Sequence, residues 1–402
     1  MPPKITIRRE DIERVIAQRV VRNSHARSYF GRVVMKNTTH ISSTELMREY
    51  GNVPVIVRGD KGIVPKHGIS VSDVTPMPIE IDDKISAVDM DEYERATDEG
   101  KQQIIDEYLS QHADMLSETI NALCVQAIQG EIDYMMKAGD HLERYNVRYG
   151  TVKRMTHAKT LAAVTYGEAV KFLSDIRSLV TKQGVGGTGK FIASNAVYAR
   201  FADILASSKM SENIKDGYLI IGAFRVEEDN DSYIDVDASG NKVTKTLCGV
   251  NDICYMADNA GQKLCYLRLD DVIQRSAVAI YSFTKDDEDQ RGTKLYTKSK
   301  PFPLPNPKGI AFGSFKEQTY KVTFTAGNNG SLTASVNGTS ISSGDDVVAG
   351  STVTFTATPS SGYEVDSWGG TDAGELTDLG NGKKSVDVGK AITVSVSFKT
   401  SA

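Results

Sequence analysis

Residues 98–145 read DEGKQQIIDEYLSQHADMLSETINALCVQAIQGEIDYMMKAGDHLERY and decide the fold, because they form the longest helical pattern in the chain. The stretch contains no proline, and its apolar residues recur mostly three to five positions apart from Ile104 to Met135. That spacing places them on one face of a helix. The heptads are too irregular for a coiled coil. We therefore predict one long helix over residues 98–145, lying across a sheet.

The chain before this helix predicts an arm and a projecting ribbon. Residues 5–22 carry apolar side chains near helical spacing, which predicts an amphipathic helix. Two strand-like runs follow, residues 53–58 and 76–81, on either side of a loop rich in glycine and proline. Proline within both runs favours an exposed ribbon over a central strand. A ribbon over residues 53–85 has little core of its own, so we expect a neighbouring subunit to cover it.

The chain after the long helix mixes helices and strands, which indicates an α+β fold. Thr165 and Glu168 form a capping box at the start of a helix that ends near Gln183. A glycine-rich turn then leads into a strand at residues 191–194 and a short helix at 196–206. The clearest later strands are residues 218–226, 253–256 and 278–283. The acidic stretch 227–241 is predicted to be a loop.

The composition changes beyond about Lys316. The remaining residues are rich in Gly, Ser, Thr and Val and alternate at period two, as in residues 320–324, 351–357 and 392–398. Turn signals such as residues 327–330 and 380–382 separate these runs. This pattern predicts a separate all-β domain with a boundary near residue 318.

Length and charge bound the classes of protein that fit. At 402 residues the chain exceeds one usual core, and 40% hydrophobic content excludes wholesale disorder. The N-terminus has charge but no apolar signal segment, so we expect the protein to be made and to fold in a cytoplasm. Residues 1–50 carry ten Lys and Arg against five acids, whereas residues 320–402 carry five Lys against eight acids. A basic arm and an acidic terminal domain suggest two surroundings, although solvated helix faces explain the arm equally well.

The residue patterns that could carry chemistry lack the context that the chemistry needs. Residues 184–190, Gly-Val-Gly-Gly-Thr-Gly-Lys, nearly match a phosphate-binding loop, but a helix precedes them, a strand follows, and Phe191 replaces the magnesium-binding hydroxyl. A helix-to-strand connector is the better interpretation. Asp229, Asp231, Asp235 and Asp237 do not follow the calcium-loop spacing and favour a solvated loop.

The cysteines and histidines show no metal or catalytic spacing either. Cys124, Cys248, Cys254 and Cys265 favour buried, reduced thiols. His112 lies on the apolar stripe of the long helix and favours a core histidine. The other histidines are scattered: His25, His40, His67, His141 and His157. No nucleophile motif occurs. We therefore predict no catalytic residue, no metal site and no cofactor.

The order of these elements resembles that of the lambda-type major capsid protein E family of tailed bacteriophages. Residues 191–201 look like the strand and short helix of that family, and residues 298–308 look like its closing segment. The resemblance implies an HK97-like capsid domain over residues 1–318. Its parts would be an N-terminal arm (1–50), an extended loop (53–85), a spine helix (98–145) and peripheral and axial parts (150–318). No long N-terminal helical extension is present, so a separate scaffolding protein is implied.

The terminal segment, residues 319–402, is similar to bacterial immunoglobulin-like or InlB-type B repeats. The resemblance rests on residues 350–359 and on residues 361–369, where Gly-Tyr precedes Trp-Gly. We expect Tyr363, Val365 and Trp368 to form the core of a small sandwich. Capsids of the lambda type do not require such a domain, so it is expected to be an exposed decoration.

Together these resemblances imply a structural protein, not an enzyme, that assembles into the icosahedral head of a tailed phage and resides in the virion. The implied partners are further copies in hexamers and pentamers, a scaffolding protein, a portal, and double-stranded DNA bound without sequence specificity on the inner surface. A host-surface or glycan contact through residues 319–402 is a further expectation. The alternative is a bacterial surface adhesin built on the immunoglobulin-like repeat, and an enzyme is third.

Overall fold

The computed structural model describes residues 9–18, 24–42, 74–236, 241–258, 260–287 and 292–401. They divide between two units, residues 1–156 with 165–314 and residues 157–164 with 315–402. Within the described ranges the α-helices are α1 (Arg9–Gln18), α2 (His25–Tyr29), α3 (Ala87–Arg95), α4 (Asp98–Gln129), α5 (Tyr166–Thr181) and α6 (Asn195–Ser207). In this part of the chain, none of them is long and apolar enough to span a bilayer.

The long helix, α4, has 32 residues and ends earlier than predicted. Its first turn is capped by the Thr97 hydroxyl, which accepts a bond from the backbone N–H of Gly100 at 3.3 Å. Gly130 terminates it at φ +111°, a left-handed conformation that a residue with a side chain rarely adopts. The prediction of a helix through residue 145 is therefore wrong beyond Gln129. The stretch that follows forms β-strands.

Those strands are a two-stranded hairpin, β3 (Glu131–Ala138) and β4 (His141–Arg148), joined by Gly139 and Asp140. Gly139 has φ +63°, as a tight hairpin turn requires. Gln126 fixes the hairpin to the end of α4, because its amide donates to the Asp133 carbonyl at 3.0 Å and accepts from the Asp133 N–H at 3.1 Å. The hairpin is thus attached at its base, and its tip is exposed.

Within the described residues between α2 and residue 316, the strands form three sheets and two hairpins. The sheets have the orders β1-β13-β16, β14-β15-β2 and β5-β17-β12-β6-β9-β8-β7, and the hairpins are β3-β4 and β10-β11. The remaining bounds are β1 (Val33–Lys36), β2 (Ile79–Ile85), β5 (Lys153–Thr160), β6 (Gly189–Ala193), β7 (Ile214–Lys215), β8 (Tyr218–Ile221), β9 (Phe224–Glu228), β10 (Ser232–Val236), β11 (Lys242–Thr246), β12 (Asp252–Ala257), β13 (Lys263–Leu267), β14 (Tyr281–Asp287), β15 (Gly292–Ser299), β16 (Pro301–Leu304) and β17 (Ile310–Lys316).

The core of the first unit surrounds the second half of α4. Every residue from Ile120 to Ile128 is buried, as expected of a helix that is covered on all sides. These residues pack with side chains of β12, β13, β16 and β17, among them Cys254, Leu264, Phe302 and Phe312. A second cluster joins the first half of α4 to α1, β2 and β15 through Val15, Ile85, Ile105, Leu109 and Leu295. The long helix therefore connects most parts of this unit.

Several local predictions are confirmed, and two are corrected. The capping box at Thr165 and Glu168 begins α5, and the predicted strand and short helix correspond to β6 and α6. The predicted strand 218–226 is a hairpin, because Gly222 at φ +62° turns the chain between β8 and β9. The predicted acidic loop contains β10, in which Asp235 is buried and Ile234 is exposed. Because the aspartate is buried and the isoleucine is exposed, the sequence pattern does not indicate a strand here.

The second unit contains a β-sandwich of two sheets, β21-β18-β26-β23 and β20-β19-β22-β25-β24. Their bounds are β18 (Thr319–Ala326), β19 (Gly330–Val336), β20 (Thr339–Ile341), β21 (Asp345–Val348), β22 (Thr352–Pro359), β23 (Tyr363–Gly369), β24 (Thr377–Gly380), β25 (Lys383–Asp387) and β26 (Ile392–Thr400). Val322, Val353, Phe355 and Val394 are fully buried between the sheets. Val365 and Trp368 pack against this core as expected, but Tyr363 does not belong to it.

Candidate assembly surfaces

Two backbone hydrogen bonds join the chain at the base of the predicted extended loop. The N–H of Ile41 donates to the Val74 carbonyl at 2.8 Å, and the N–H of Val74 donates to the Ile41 carbonyl at 2.9 Å. Ile41 is buried in the core around α4. Residues 43–73, with the predicted strand 53–58, lie outside the described residues, whereas the second predicted run leads into the edge strand β2. The two ends of this segment are therefore held together and anchored.

The N-terminal arm is attached to the long helix by an ion pair. The Arg14 guanidinium donates to both carboxylate oxygens of Asp106, at 3.1 Å and 2.7 Å, and to Asp11 at 3.1 Å. A two-point contact of this kind fixes orientation as well as distance. Further along, Arg27 donates to the Ser117 hydroxyl on α4. Two of the arm's basic residues are thus used inside the subunit.

Lys190, the last residue of the glycine-rich stretch 184–190, pairs with a carboxylate of the same chain. Its ammonium lies 2.8 Å from Glu227, which also receives Arg225 at 2.6 Å and His25 at 3.1 Å. Burial would raise the pKa of Glu227, but the bonds from His25 and Lys190 outweigh it and bring the pKa to about 2. Glycine in this stretch also serves close packing, because a Cβ on Gly189 would lie 2.5 Å from the Tyr255 hydroxyl. These contacts give the stretch a structural role.

Three of the four aspartates in the acidic stretch make separate contacts. Asp229 accepts from the N–H groups of Asp231 and Cys248, and burial raises its pKa to about 6. Asp231 accepts from the N–H of Ala26 at 2.7 Å. Asp235 binds Arg144 and Lys245, which join the β3-β4 hairpin to the β10-β11 hairpin. Asp237 lies outside the described residues. Among the residues that are described, no three acidic, His or Cys side chains are grouped as metal ligands.

The histidines and cysteines also have local explanations. His112 is buried between α4 and β15, where its Nδ1 lies 2.8 Å from the Thr297 hydroxyl. His141 is an exposed partner of Glu143, and His67 lies outside the described residues. Cys124, Cys248, Cys254 and Cys265 are buried and form no disulfide bonds, and burial raises the pKa of Cys124 to about 12. These thiols are inert core side chains.

Two apolar surfaces were missed by reading the sequence. The first, called here the apolar groove, is an open cavity of about 590 Å³ lined by α4, β2, β16 and the β3-β4 hairpin, with Met77, Leu123, Tyr134, Met135 and Phe302 among its walls. The second, called the apolar tip, consists of Val272 and Ile273, which are 81% and 79% exposed. Neither shows a sequence signal, because the groove is assembled from distant segments and the tip is only two residues long.

Two family models match the chain. The model of the phage major capsid protein E covers residues 14–314, three quarters of the sequence. The chain belongs to this family. A second model, the divergent InlB B-repeat domain, matches residues 320–402. The resemblances expected at both ends of the chain are therefore confirmed.

One of the solved structures similar to this chain shows the same fold. A protein assigned as the capsid protein of a prophage in E. coli CFT073 has a TM-score of 0.52 at 13% identity, with 78% of this chain and 100% of that chain covered. The mature capsid of bacteriophage PhiM1 has a TM-score of 0.42 at 10% identity, covering 75% and 90%. No curated protein is significantly similar in sequence. The fold is thus the HK97-like capsid fold with a terminal immunoglobulin-like domain.

Membership of the capsid family gives the protein a structural role in the phage capsid and places it in the virion. A bacterial adhesin is not favoured, because the repeat-type domain occupies only the last fifth of a capsid chain. The prediction of a structural protein that associates with copies of itself is therefore confirmed.

Proposed function

We propose that this capsid protein acts solely as a building block, without catalytic activity, in a closed icosahedral shell of hexamers and pentamers around double-stranded DNA. The observation that carries this proposal is the family match over residues 14–314. The ionisable side chains described above also make contacts within the subunit, which supports a packing role for them. Closed symmetry turns many weak contacts into a stable assembly. We further propose that residues 1–318 form the shell domain and residues 319–402 a separate domain.

In this shell, the extended loop predicted over residues 53–85 acts as the intersubunit clasp, and the segment 43–73 contains its first part. Support comes from the Ile41–Val74 bridge, which anchors both ends of the segment in the core of its own subunit. A loop held in this way can transmit force from a neighbour to the long helix without disturbing the rest of the fold. Truncating residues 45–70 to a short Gly-Ser linker should leave the subunit folded but unable to form shells. Shells of normal stability from this variant would contradict the clasp.

The basic N-terminal arm faces the packaged DNA. Its net charge is positive, with ten Lys and Arg against five acids, although Arg14 and Arg27 are engaged within the subunit. Binding through phosphates is independent of sequence and weakens as salt rises. Replacing Arg8, Arg9 and Lys4 with Gln should reduce the salt-sensitive retention of DNA by shells while leaving empty shells intact. A scaffolding protein and a portal are the other partners expected during assembly.

The terminal domain lies on the outer surface. Its charge is opposite to that of the arm, and its core is closed within residues 322–396. A tag placed after Ala402 should be bound by antibody on intact particles, and electron cryomicroscopy should show density outside the shell. Density for residues 319–402 inside the shell would overturn this placement. A host-surface or glycan contact through this domain is tested by comparing the adsorption of particles with and without it.

The whole proposal is tested by expressing the chain and examining the product. Closed shells or stable hexamers, seen by electron microscopy and by sizing in the megadalton range, are the expected outcome, with a scaffolding protein added where shells are irregular. A chain that remains monomeric under all assembly conditions and binds a glycan would instead favour the adhesin.

A further inference from the structure

The apolar tip is held in one conformation. The carboxylate of Asp271 accepts bonds from the N–H groups of Ile273 at 2.8 Å and Gln274 at 3.0 Å. Arg275 donates to the carbonyl of Val272 at 3.0 Å. Two large apolar side chains are therefore presented to solvent on a turn that is already fixed, so little conformational entropy is lost when another surface covers them.

The base of this turn is also anchored to the body of the subunit. Asn37, which follows β1, accepts a bond from the N–H of Ala277 at 2.8 Å. Asp271 itself is nearly buried and lies 3.3 Å from the ammonium of Lys298 on β15. Burial of an apolar side chain is favourable, and such a tip gains this free energy only when a second surface receives it.

The apolar groove has matching chemistry. Its walls are mostly thioether, aromatic and aliphatic side chains, and its charged lining residues are Glu80 and Lys137. The tip is flanked by charges of both signs, Arg275 on one side and Asp270 on the other; Asp270 also binds Lys300 of its own subunit at 2.7 Å and keeps a half-exposed carboxylate. An arrangement in which Arg275 approaches Glu80 and Asp270 approaches Lys137 therefore pairs opposite charges around an apolar contact, as expected of a specific interface.

Lys298 places the tip and the groove side by side in one subunit. Its ammonium lies 3.3 Å from Glu80 at the groove and 3.3 Å from Asp271 below the tip. Because the tip and the groove are neighbours, the tip of each copy can enter the groove of the other copy at the same time when two copies meet about a two-fold axis. A single two-fold contact then buries both pairs.

We propose that the apolar tip of one copy inserts into the apolar groove of a second copy and forms a two-fold contact between subunits. This inference deepens the proposed function, because it names a surface through which the shell would be built. The groove takes Val272 and Ile273 of a second copy of this chain, and Lys298 orients both halves of the contact.

A cysteine pair tests the contact directly. In the variant with Met77→Cys and Ile273→Cys, shells assembled from the full chain should form an intersubunit disulfide dimer under mild oxidation. The four native cysteines are buried and form no disulfide bonds, so they give little background. The matched control pairs Met77→Cys with Val250→Cys, because Val250 is an equally exposed valine at 75% outside the tip. The contact would be contradicted if only the control pair formed dimers. It would also be contradicted if neither pair formed dimers in well-formed shells.

Thiol labelling of the single variant Met77→Cys separates the remaining outcomes. Met77 is 43% exposed, so the cysteine should react in the unassembled subunit and become at least tenfold slower in the shell. A thiol that is already protected in the unassembled subunit would mean that the chain's own residues fill the groove, and equal labelling in both states would mean that nothing fills it. Either result overturns the inference.

Assembly provides the second measurement. Ile273→Asp places a charge in the groove and should raise the subunit concentration needed for shell formation at least tenfold, whereas Val250→Asp should change it less than twofold. Circular dichroism of the unassembled subunits confirms that both variants fold. If wild-type protein forms shells and Ile273→Asp assembles equally well, the tip contact is wrong and the capsid role stands. If wild-type protein forms no shells under any condition, the proposed function fails instead.

Discussion

The two units of this chain bury their cores in different ways. The core of the first unit draws residues from Ala26 to Phe312, so segments that are far apart in sequence must meet around one helix. The core of the sandwich uses only residues between Val322 and Val396. The first unit also exposes an apolar groove and an apolar tip, whereas the sandwich leaves few large apolar side chains uncovered. The difference suggests that neighbours complete one unit, while the other is complete by itself.

Removing one buried aromatic ring from each core should give the largest loss of stability and so tests this comparison most directly. Phe355→Ala in the sandwich and Phe312→Ala in the first unit each remove a ring that is at most 1% exposed. We expect each to lower the free energy of unfolding by about 3–5 kcal/mol. Calorimetry of the full chain should show two transitions, with each variant shifting only its own.

The assembly readout separates the units further. Shell yield should survive Phe355→Ala and fall strongly with Phe312→Ala, because only the first unit belongs to the capsid fold. A single transition that both variants shift together would show that the units unfold as one and would contradict the comparison.

A buried carboxylate in each unit gives a smaller effect. Asp235 is 3% exposed and joins two hairpins through Arg144 and Lys245, which are themselves partly exposed. Asp235→Ala leaves both cations without this partner and should cost about 1–3 kcal/mol in the first unit. Asp372→Ala is the matched variant in the sandwich, where Asp372 accepts from the N–H of Thr393 at 2.8 Å. Urea unfolding monitored in each unit should show one loss per variant.

The glycine that ends the long helix tests why the helix stops. Gly130→Ala adds a Cβ at φ +111° and 3.2 Å from a methyl of Val152, so we expect a loss of about 1–2 kcal/mol in the first unit. Gly139→Ala is the control, because Gly139 lies at φ +63° with nothing near its Cβ position. The control should cost less. An equal cost at both positions would mean that backbone strain, not the contact with Val152, decides the effect.

Sequence reading succeeded where local signals agree with the fold. The capping box at Thr165, the alternation in the sandwich strands and the first 32 residues of the long helix are such signals. It failed after Gly130, although Gly130 followed nine residues later by Gly139 and Asp140 marks a helix end and a hairpin turn. The apolar spacing of Ile132 and Met135 continued the helical pattern and outweighed those turn signals.

Other features have no local signal. Asp235 is buried where Arg144, 91 residues away, and Lys245 of the same hairpin both bind it. The apolar groove is likewise made by residues from Met77 to Phe302 that adjoin only in the folded chain. Charge pairing and packing between distant segments thus determine the surfaces that matter for assembly, and a single sequence does not reveal them.

The smallest expected effect is a pH dependence that arises at His112 in the first unit; the one histidine of the second unit, His157, lies outside residues 319–402. His112 is buried, and burial lowers its pKa below the ordinary value, against the opposing influence of Asp83 at 3.5 Å. The unfolded chain therefore binds the proton more readily, and stability should fall as pH decreases through about 6.5 until the lowered pKa is passed. Each unit of pKa depression contributes about 1.4 kcal/mol. Residues 319–402 contain no histidine, so the sandwich should not change between pH 7 and 5.

The control is His112→Gln, which has no titrating side chain at this position and can still meet Thr297 on β15. The difference in unfolding free energy between wild type and His112→Gln should decrease from pH 7 to pH 5 in the transition of the first unit. A difference that stays constant would mean that the imidazole has the same pKa in the folded and unfolded chain. A change in the sandwich transition over that range would instead show that acid acts on the two units together. His112 lies between α4 and β15, far in sequence from the sandwich, so its titration should affect the first unit alone. A change in the sandwich transition would therefore contradict the view that the sandwich is self-contained.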